Sequence, residues 1–165
     1  MNSLLKEYPV DMITVAMIAE AADLSKATFY RHYADKYQLL TTYYNHEVDD
    51  RLSRHGATFP ECMQSLLDFI RDNRTYFSTL INLRDPDNFL SVFYRSSYSH
   101  TCEKILHKTG TELKDDEKKL LSFFLAGCAF TIQKWIRTGM KESTEEITDV
   151  LCRCIPEELK SSFYL

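Results

Sequence analysis

The sequence predicts an all-α protein, and three observations lead to this expectation. Glycine and proline occur only four times each in 165 residues, while charged residues make up 27%, a composition that favours long helices over the frequent turns of a β-sandwich. Hydrophobic residues make up 44%, enough to bury a core without disulfides or metals. Apolar residues also recur at helical spacing, and most glycines and prolines fall where that spacing breaks.

These breaks set the predicted helix boundaries. Pro9 closes a short first helix and Pro156 ends the last apolar pattern, while Gly110 and Gly139 stand where helix C-termini are expected. Asp85-Pro86 is typical of an N-cap followed by proline in the first turn. The predicted helices span residues 2–8, 14–22, 26–33, 36–55, 61–83, 86–108, 115–138 and 144–155.

Two capping boxes support helix starts within this scheme. Asp35 is followed three residues later by Gln38, and Ser143 is followed three residues later by Glu146. In this pattern each side chain satisfies a backbone N–H of the other residue. We therefore expect helices to begin directly after Asp35 and Ser143.

Composition also limits where the protein works and what it binds. The longest strongly apolar stretch, residues 123–130, is shorter than the roughly 20 residues of a membrane-spanning helix, so we expect a cytoplasmic protein with no membrane partner. The five cysteines form an odd set without a C-x-x-C pair, which indicates buried free thiols. The net charge is -4, so any affinity for nucleic acid must come from the local placement of cations.

Residues 14–33 have the pattern of two short helices joined by a tight turn. Thr14 can cap the first, in which Ile18 and Ala22 share a face, and Ser25 can cap the second, in which Phe29 and Tyr33 share a face. Such a pair is typical of a helix-turn-helix, whose second helix enters the major groove of DNA. An amphipathic hairpin with an idle polar face would show the same spacing.

If Phe29 and Tyr33 face inward, the outer face of the second helix becomes a candidate DNA-binding surface. Basic side chains can reach base edges or phosphates, and hydroxyls can donate to phosphates. Lys36 follows at the start of the next helix, where it could clamp the DNA backbone. The candidates on and beside the second helix are Lys26, Thr28, Tyr30, Arg31 and His32.

Residues 13–40, ITVAMIAEAADLSKATFYRHYADKYQLL, resemble the DNA-binding domain of the TetR family of transcription regulators. The resemblance implies a homodimer that binds double-stranded DNA and responds to a small-molecule effector. Asp23 stands where the family normally has glycine, and we expect it to adopt the left-handed geometry that aspartate tolerates better than most residues. The first helix looks shorter than the family's, which often has basic residues there. The implied DNA contacts are Thr14, Ser25, Lys26, Thr28, Tyr30, His32 and Lys36.

The rest of the chain is interpreted as a helical effector-binding and dimerisation domain. We expect a DNA-binding domain at residues 1–45 and this second domain at residues 46–165. Aromatic residues at helical spacing could line an effector pocket, although such a stripe is more often plain core, and a glycine inside a helix could leave room for a ligand or for a close helix crossing. The candidate pocket residues are Phe77, Phe93, Tyr94, Phe124 and Gly127.

Residues 124–140, with the capped helix after Ser143, are similar to the C-terminal half of TetR-type regulators related to dihydroxyacetone kinase operon regulators. In that group the last two long helices pair with those of a second subunit in a four-helix bundle. The resemblance therefore implies an apolar dimer interface. Its candidate residues are Ile132, Trp135, Ile136, Ile147, Val150, Leu151 and Ile155.

The remaining motifs give no reason to expect an enzyme. His46 with Asp50 and Glu103 with His107 are spaced four apart on helices, but neither pair has a third ligand, so we expect no metal and no cofactor. The favoured function is a repressor that binds palindromic DNA as a dimer and is released by a small, partly apolar effector. The alternative is a TetR-like coactivator or interaction module with weak or no DNA binding.

Overall fold

The computed structural model describes residues 2–52, 57–81 and 89–164, and it confirms the all-α prediction: every regular element in these residues is a helix. A short 3₁₀ turn spans Val10–Met12. None of the described helices is long and apolar enough to cross a membrane. The α-helices are α1 Asn2–Glu7, α2 Val15–Ala21, α3 Lys26–His32, α4 Lys36–Leu52, α5 Phe59–Asp72, α6 Arg74–Leu80, α7 Phe89–Thr109, α8 Asp115–Arg137, α9 Thr144–Arg153 and α10 Glu157–Phe163.

The capping box predicted at Ser143 is present, whereas the one predicted at Asp35 is only half formed, because the Gln38 side chain bonds to the N–H of Ala34 rather than to that of Asp35. The Asp35 carboxylate accepts from the backbone N–H of Gln38 at 2.8 Å, and the Gln38 side chain accepts from the N–H of Ala34 at 2.5 Å. At the start of α9, the Ser143 hydroxyl accepts from the N–H of Glu146 at 3.1 Å, and the Glu146 carboxylate accepts from the N–H of Ser143 at 2.7 Å. These bonds satisfy donors that the first turn of a helix leaves free.

The predicted single helix 61–83 is wrong, because the structure has two helices there. The first begins two residues earlier, at Phe59, and takes Pro60 into its first turn, where the missing N–H costs nothing. It ends at Asn73, whose side-chain amide donates to the carbonyl of Phe69 at 2.9 Å and so competes with the helical ladder. The proposed cap at Asp85-Pro86 lies outside the described residues.

The chain also continues as a helix beyond Pro156, which the sequence interpretation missed. Pro156 stands at the N-cap of α10 rather than at the end of all helical structure. Leu159 and Phe163, four residues apart, are both buried on the inner face of α10. Their i, i+4 spacing is the signal that could have revealed this helix.

Two hydrophobic clusters organise the chain. The smaller one joins Ile13, Ile18 and Phe29 and holds α2 and α3 together. The larger one runs through α4 to α10, with α7 packed along α8 and α5 along α9. Helix α4 contributes to both, since Leu39 packs on the small cluster and Leu40 on the large one. The predicted division at residue 45 therefore falls inside one continuous helix.

The turn between α2 and α3 depends on a left-handed residue. Asp23 has φ 53°, and its N–H donates to the carbonyl of Glu20 while the N–H of Leu24 donates to the carbonyl of Ala19. These two bonds form a Schellman motif, which glycine usually completes because it has no Cβ. The expectation that Asp23 adopts left-handed geometry is confirmed.

We predict that Asp23→Gly raises the free energy of unfolding by up to about 1 kcal/mol, because an L residue in this conformation costs roughly 1–2 kcal/mol. Asp23→Val should lower it by about 1–2 kcal/mol, since a β-branched side chain tolerates positive φ least. Urea unfolding followed by circular dichroism measures both. A valine variant as stable as the parent would contradict the strain assigned to this turn.

Candidate nucleic-acid interface

Two capped helices set the geometry of the candidate DNA-binding surface. The Thr14 hydroxyl accepts from the N–H of Met17 at 3.2 Å at the start of α2. The Ser25 hydroxyl accepts from the N–H of Thr28 at 3.0 Å at the start of α3. Both hydroxyls thus cap their helices, as their positions in the sequence predicted. Both residues are exposed.

The inner faces of these helices are mostly as expected. Phe29 is buried and lies 5.6 Å from the ring of Tyr33, and Ile18 and Ala19 are buried on α2. Ala22 is not part of that face: it is the exposed C-cap residue of α2, because the helix ends one residue before it. The packing leaves one side of α3 free for solvent.

That free side is positively charged. Lys26, Arg31 and His32 are exposed, and α3 contains no acidic residue. Tyr30 is 57% exposed, and the partly buried Thr28 shares a hydroxyl–hydroxyl hydrogen bond of 3.0 Å with Ser25. A chain of net charge -4 therefore has a short helix whose outer face offers only cations and neutral donors.

Lys36 has a role that the sequence interpretation missed. Its ammonium donates to the backbone carbonyls of Val10 at 2.8 Å, Asp11 at 3.0 Å and Ile13 at 2.9 Å. A lysine has three N–H donors, so none is left for a phosphate in this arrangement. The side chain instead fastens the 3₁₀ turn to the first turn of α4.

Further contacts join this region to the rest of the chain. The buried Tyr76 hydroxyl on α6 donates to the carbonyl of Leu40 on α4 at 2.6 Å. Val10, in the 3₁₀ turn, is buried in the large cluster, and the turn packs against α6. The helix-turn-helix is thus connected to the C-terminal helices through α4 and the 3₁₀ turn.

Comparison with known families agrees with this geometry. The family described as "Bacterial regulatory proteins, tetR family" matches residues 2–42, and the one described as "Transcriptional regulator C-terminal region" matches residues 57–157. The chain belongs to the TetR family of transcriptional regulators. The helix-turn-helix of this TetR-family chain is formed by α2 and α3, within the first match.

A solved structure has the same overall fold. The "Dihydroxyacetone kinase operon activator DhaS" superposes with a TM-score of 0.70, covering 99% of this TetR-family chain and 93% of that chain at 16% identity. Identity this low shows a shared fold and nothing finer. No curated protein matches the sequence.

The residues predicted to form the effector pocket do not form one. Phe77 and Phe93 are fully buried in the core, and Phe77 packs edge-on against Tyr44 with ring centroids 5.4 Å apart. Gly127 is exposed on the surface of α8, and a Cβ built there would meet nothing within 4 Å. The idea that this glycine makes internal space for a ligand is therefore wrong.

The other two predicted pocket residues also lie elsewhere. The Tyr94 hydroxyl shares a hydrogen bond of 2.6 Å with Ser122 on α8, near the surface. Phe124 is buried against Phe59 and Phe163, with ring centroids 5.5 Å away in each case. A different cavity, of about 40 Å³, lies between α4, α5, α7 and α10, and Phe59 and Phe163 are part of its wall.

The predicted dimer interface is wrong for six of its seven residues. These six are buried inside the single chain and have no surface to offer a partner. Val150 is the exception, at 44% exposed. Periodicity identified them as apolar but not as core. The six are Ile132, Trp135, Ile136, Ile147, Leu151 and Ile155.

We predict that Lys36→Met lowers the free energy of unfolding by about 2 kcal/mol, because the three hydrogen bonds from a charged donor are lost. Lys26→Met is the matched control: Lys26 is exposed on α3, so its replacement should change stability by no more than about 0.5 kcal/mol. Urea unfolding measures both. Equal effects of the two substitutions would contradict the fastening role.

Proposed function

We propose that this protein is a repressor that binds a palindromic operator as a homodimer and is released by a small-molecule effector. The observation that carries the proposal is the exposed, acid-free outer face of α3, held by capped helices in a helix-turn-helix. In this motif the second helix lies in the major groove. The family membership given above supports the same function.

The exposed residues of the helix-turn-helix would make different contacts with DNA, according to their positions on its two helices. Lys26 opens α3, and N-terminal residues of a recognition helix contact base edges. Arg31 and His32 lie at its other end, closer to where the backbone of DNA would pass, and Tyr30 can donate its hydroxyl to a phosphate. Thr14 and Ser25 expose their hydroxyls at the helix starts. Lys36 acts indirectly, by holding the 3₁₀ turn.

The dimer would form on the exposed side of α8 rather than on the buried residues named earlier. Phe123 is 84% exposed and Phe130 is 63% exposed, and they lie seven residues apart on one helical stripe. Between them Ala126 and Gly127 are exposed and small. Large side chains flanking a small central pair allow two such helices to cross closely about a two-fold axis, each phenylalanine packing beside the partner's backbone.

A two-fold dimer presents two copies of α3 to the same face of DNA. Its half-sites would then be centred about one helical turn apart, roughly 34–36 Å. Because residues 1–55 contain six lysines and arginines against eight acidic residues, binding relies on the few cations of α3. We infer that affinity falls as salt concentration rises, with a slope set by the small number of phosphate contacts that these cations make.

We predict that Arg31→Ala weakens binding to all DNA sequences alike and flattens the salt dependence of log K by about two units, because the dimer loses one phosphate contact in each subunit. Lys26→Ala should instead relax sequence preference, at a cost of about 1–3 kcal/mol on the best site. The measurement is fluorescence anisotropy at several salt concentrations, on an operator selected from random DNA.

Lys141→Ala is the control for these variants, because Lys141 is an exposed lysine in the loop after α8. It should bind like the parent. If selection enriches no sequence, or if neither α3 substitution changes binding, the DNA-binding proposal is wrong. The coactivator alternative, favoured by the acidic balance of residues 1–55, would then take its place.

We predict that Phe130→Asp converts the dimer into monomers at micromolar concentration, because each subunit would bury an unpaired carboxylate in an apolar interface. Leu106→Asp, at an exposed leucine on α7, is the matched control and should leave the dimer intact. Sedimentation velocity distinguishes the species. If the parent protein is already monomeric at this concentration, both the proposed interface and the proposed palindromic operator are wrong.

A further inference from the structure

The cavity between α4, α5, α7 and α10 has one polar wall and one apolar wall. On α7, Ser97, Thr101 and Lys104 line it at a spacing of three and four residues, so a polar stripe of this helix faces the interior. Opposite them lie apolar side chains that include Met63 and Phe163, both buried. A helix normally turns such a stripe to solvent.

Ser97 is the first sign that something polar belongs in this cavity. The residue is only 3% exposed, and its hydroxyl has no hydrogen-bond partner among the described residues. A buried hydroxyl without a partner costs roughly 1–3 kcal/mol, so a donor or acceptor that enters the cavity would recover this energy.

Lys104 is the second sign. Its ammonium is partly buried and donates to the carbonyl of Ala57, which leaves two N–H donors. No carboxylate among the described residues lies within ion-pair distance of it. Removal from water lowers the pKa of this ammonium, an effect to which the nearby Lys108 adds. An anion beside it would offset that cost.

The neighbouring charges are already engaged. His100 also lines the cavity, but its ring lies 3.4 Å from the Asp49 carboxylate and 3.8 Å from that of Glu103. Glu61 accepts from the N–H of Thr58 at 2.7 Å and from its hydroxyl at 2.8 Å. Lys104 is therefore the cation on this wall with no carboxylate within ion-pair distance among the described residues, although Glu61 attracts it from farther away.

The dimensions and charge of the cavity indicate the class of ligand. The enclosed part, about 40 Å³, is well below the roughly 150 Å³ of a closed cavity that holds benzene, but the cavity is partly open to solvent, so a molecule about the size of benzene fits only with part of it in the open mouth. One cation matches a monoanion better than a phosphate dianion, which would be left with a buried unpaired charge. The apolar wall suits a short carbon chain, and the Ser97 hydroxyl suits an oxygen on that chain.

We propose that this cavity binds a short-chain hydroxy- or keto-monocarboxylate, with its carboxylate on Lys104 and Thr101 and its second oxygen on Ser97. The inference deepens the proposed function, because it gives the effector a chemical class and a binding site. It rests on that function only where it connects ligand binding to release from DNA. Binding itself involves the free protein alone.

The test uses lactate, pyruvate, propionate and inorganic phosphate, each titrated into the free protein at constant ionic strength and followed by two-dimensional NMR. Lactate and propionate differ by one hydroxyl, so their comparison isolates the second oxygen. We expect lactate or pyruvate to bind at least about threefold more tightly than propionate. Phosphate should bind more weakly than lactate and pyruvate.

Three variants assign the contacts. Lys104→Met should weaken binding of lactate and pyruvate by about tenfold or more, because a charge-assisted contact is lost. Ser97→Ala should fold normally, as its hydroxyl has no partner to lose, and should abolish the advantage over propionate. Lys134→Met, at an exposed lysine on α8, should bind like the parent.

Absence of saturable lactate and pyruvate binding would overturn the proposal, and so would tighter binding of phosphate or a Ser97→Ala variant that keeps the preference over propionate. These results would leave DNA binding untouched, because operator affinity is measured without any ligand. Conversely, a protein that binds lactate or pyruvate through Lys104 but selects no operator would keep this site and lose the proposed function.

Discussion

The arrangement of the whole N-terminal region depends on the hydrogen bonds of one ammonium group. The 3₁₀ turn lies between α1 and α2, and the carbonyls of Val10, Asp11 and Ile13 all accept from one ammonium nitrogen. The Lys36 side chain donates one N–H to each of them, and the Val10 carbonyl also accepts from the N–H of Ile13 at 3.2 Å. Because Lys36 is the first residue of α4, these bonds also fix where that helix begins relative to α2 and α3.

Helix α4 then transmits this fixed geometry to the body of the protein. It spans 17 residues, about 25 Å at the rise of an α-helix. Its first turns pack on the small cluster through Leu39, while Tyr44 and Val48 are buried in the large one. Tyr76 adds a hydrogen bond to the carbonyl of Leu40. The position of α3 is therefore determined by how α4 sits on α5, α6 and α7.

Local chemistry made the helix-turn-helix predictable from the sequence. Thr14 and Ser25 cap their helices, Phe29 faces inward, and Asp23 takes the left-handed position, all of which follow from neighbours within a few residues. The contact of Lys36 with residues 23 to 26 positions earlier has no such local signal. The position of Lys36 at the start of a helix predicted a contact with a DNA phosphate. In the structure its side chain instead bonds to backbone carbonyls of residues 10, 11 and 13.

Helix α8 shows why residues of the core were predicted to form an interface. It is apolar on more than one side: Phe123 and Phe130 are exposed, whereas Ile132 and Trp135 are buried. Periodicity distinguishes polar from apolar faces, but it does not say which of two apolar faces packs within the chain. Periodicity also missed the break at Asn73, because both flanking segments keep helical spacing. At Asn73 the backbone leaves helical geometry, with φ -112° and ψ 32°, and the side chain bonds to the carbonyl of Phe69.

Helix α7 presents the opposite problem, because its polar stripe would be assigned to solvent from sequence alone. In the structure Ser97 and Lys104 face a cavity whose wall includes Leu52, the last residue of α4. An occupant of that cavity would press on one end of α4, while Lys36 holds the 3₁₀ turn at the other. If α4 can take two positions, a ligand in the cavity shifts the equilibrium between them only by its difference in affinity for the two positions. In this fold that difference can arise directly, because Leu52 in the cavity wall and Lys36 beside the helix-turn-helix lie at the two ends of the same helix, α4.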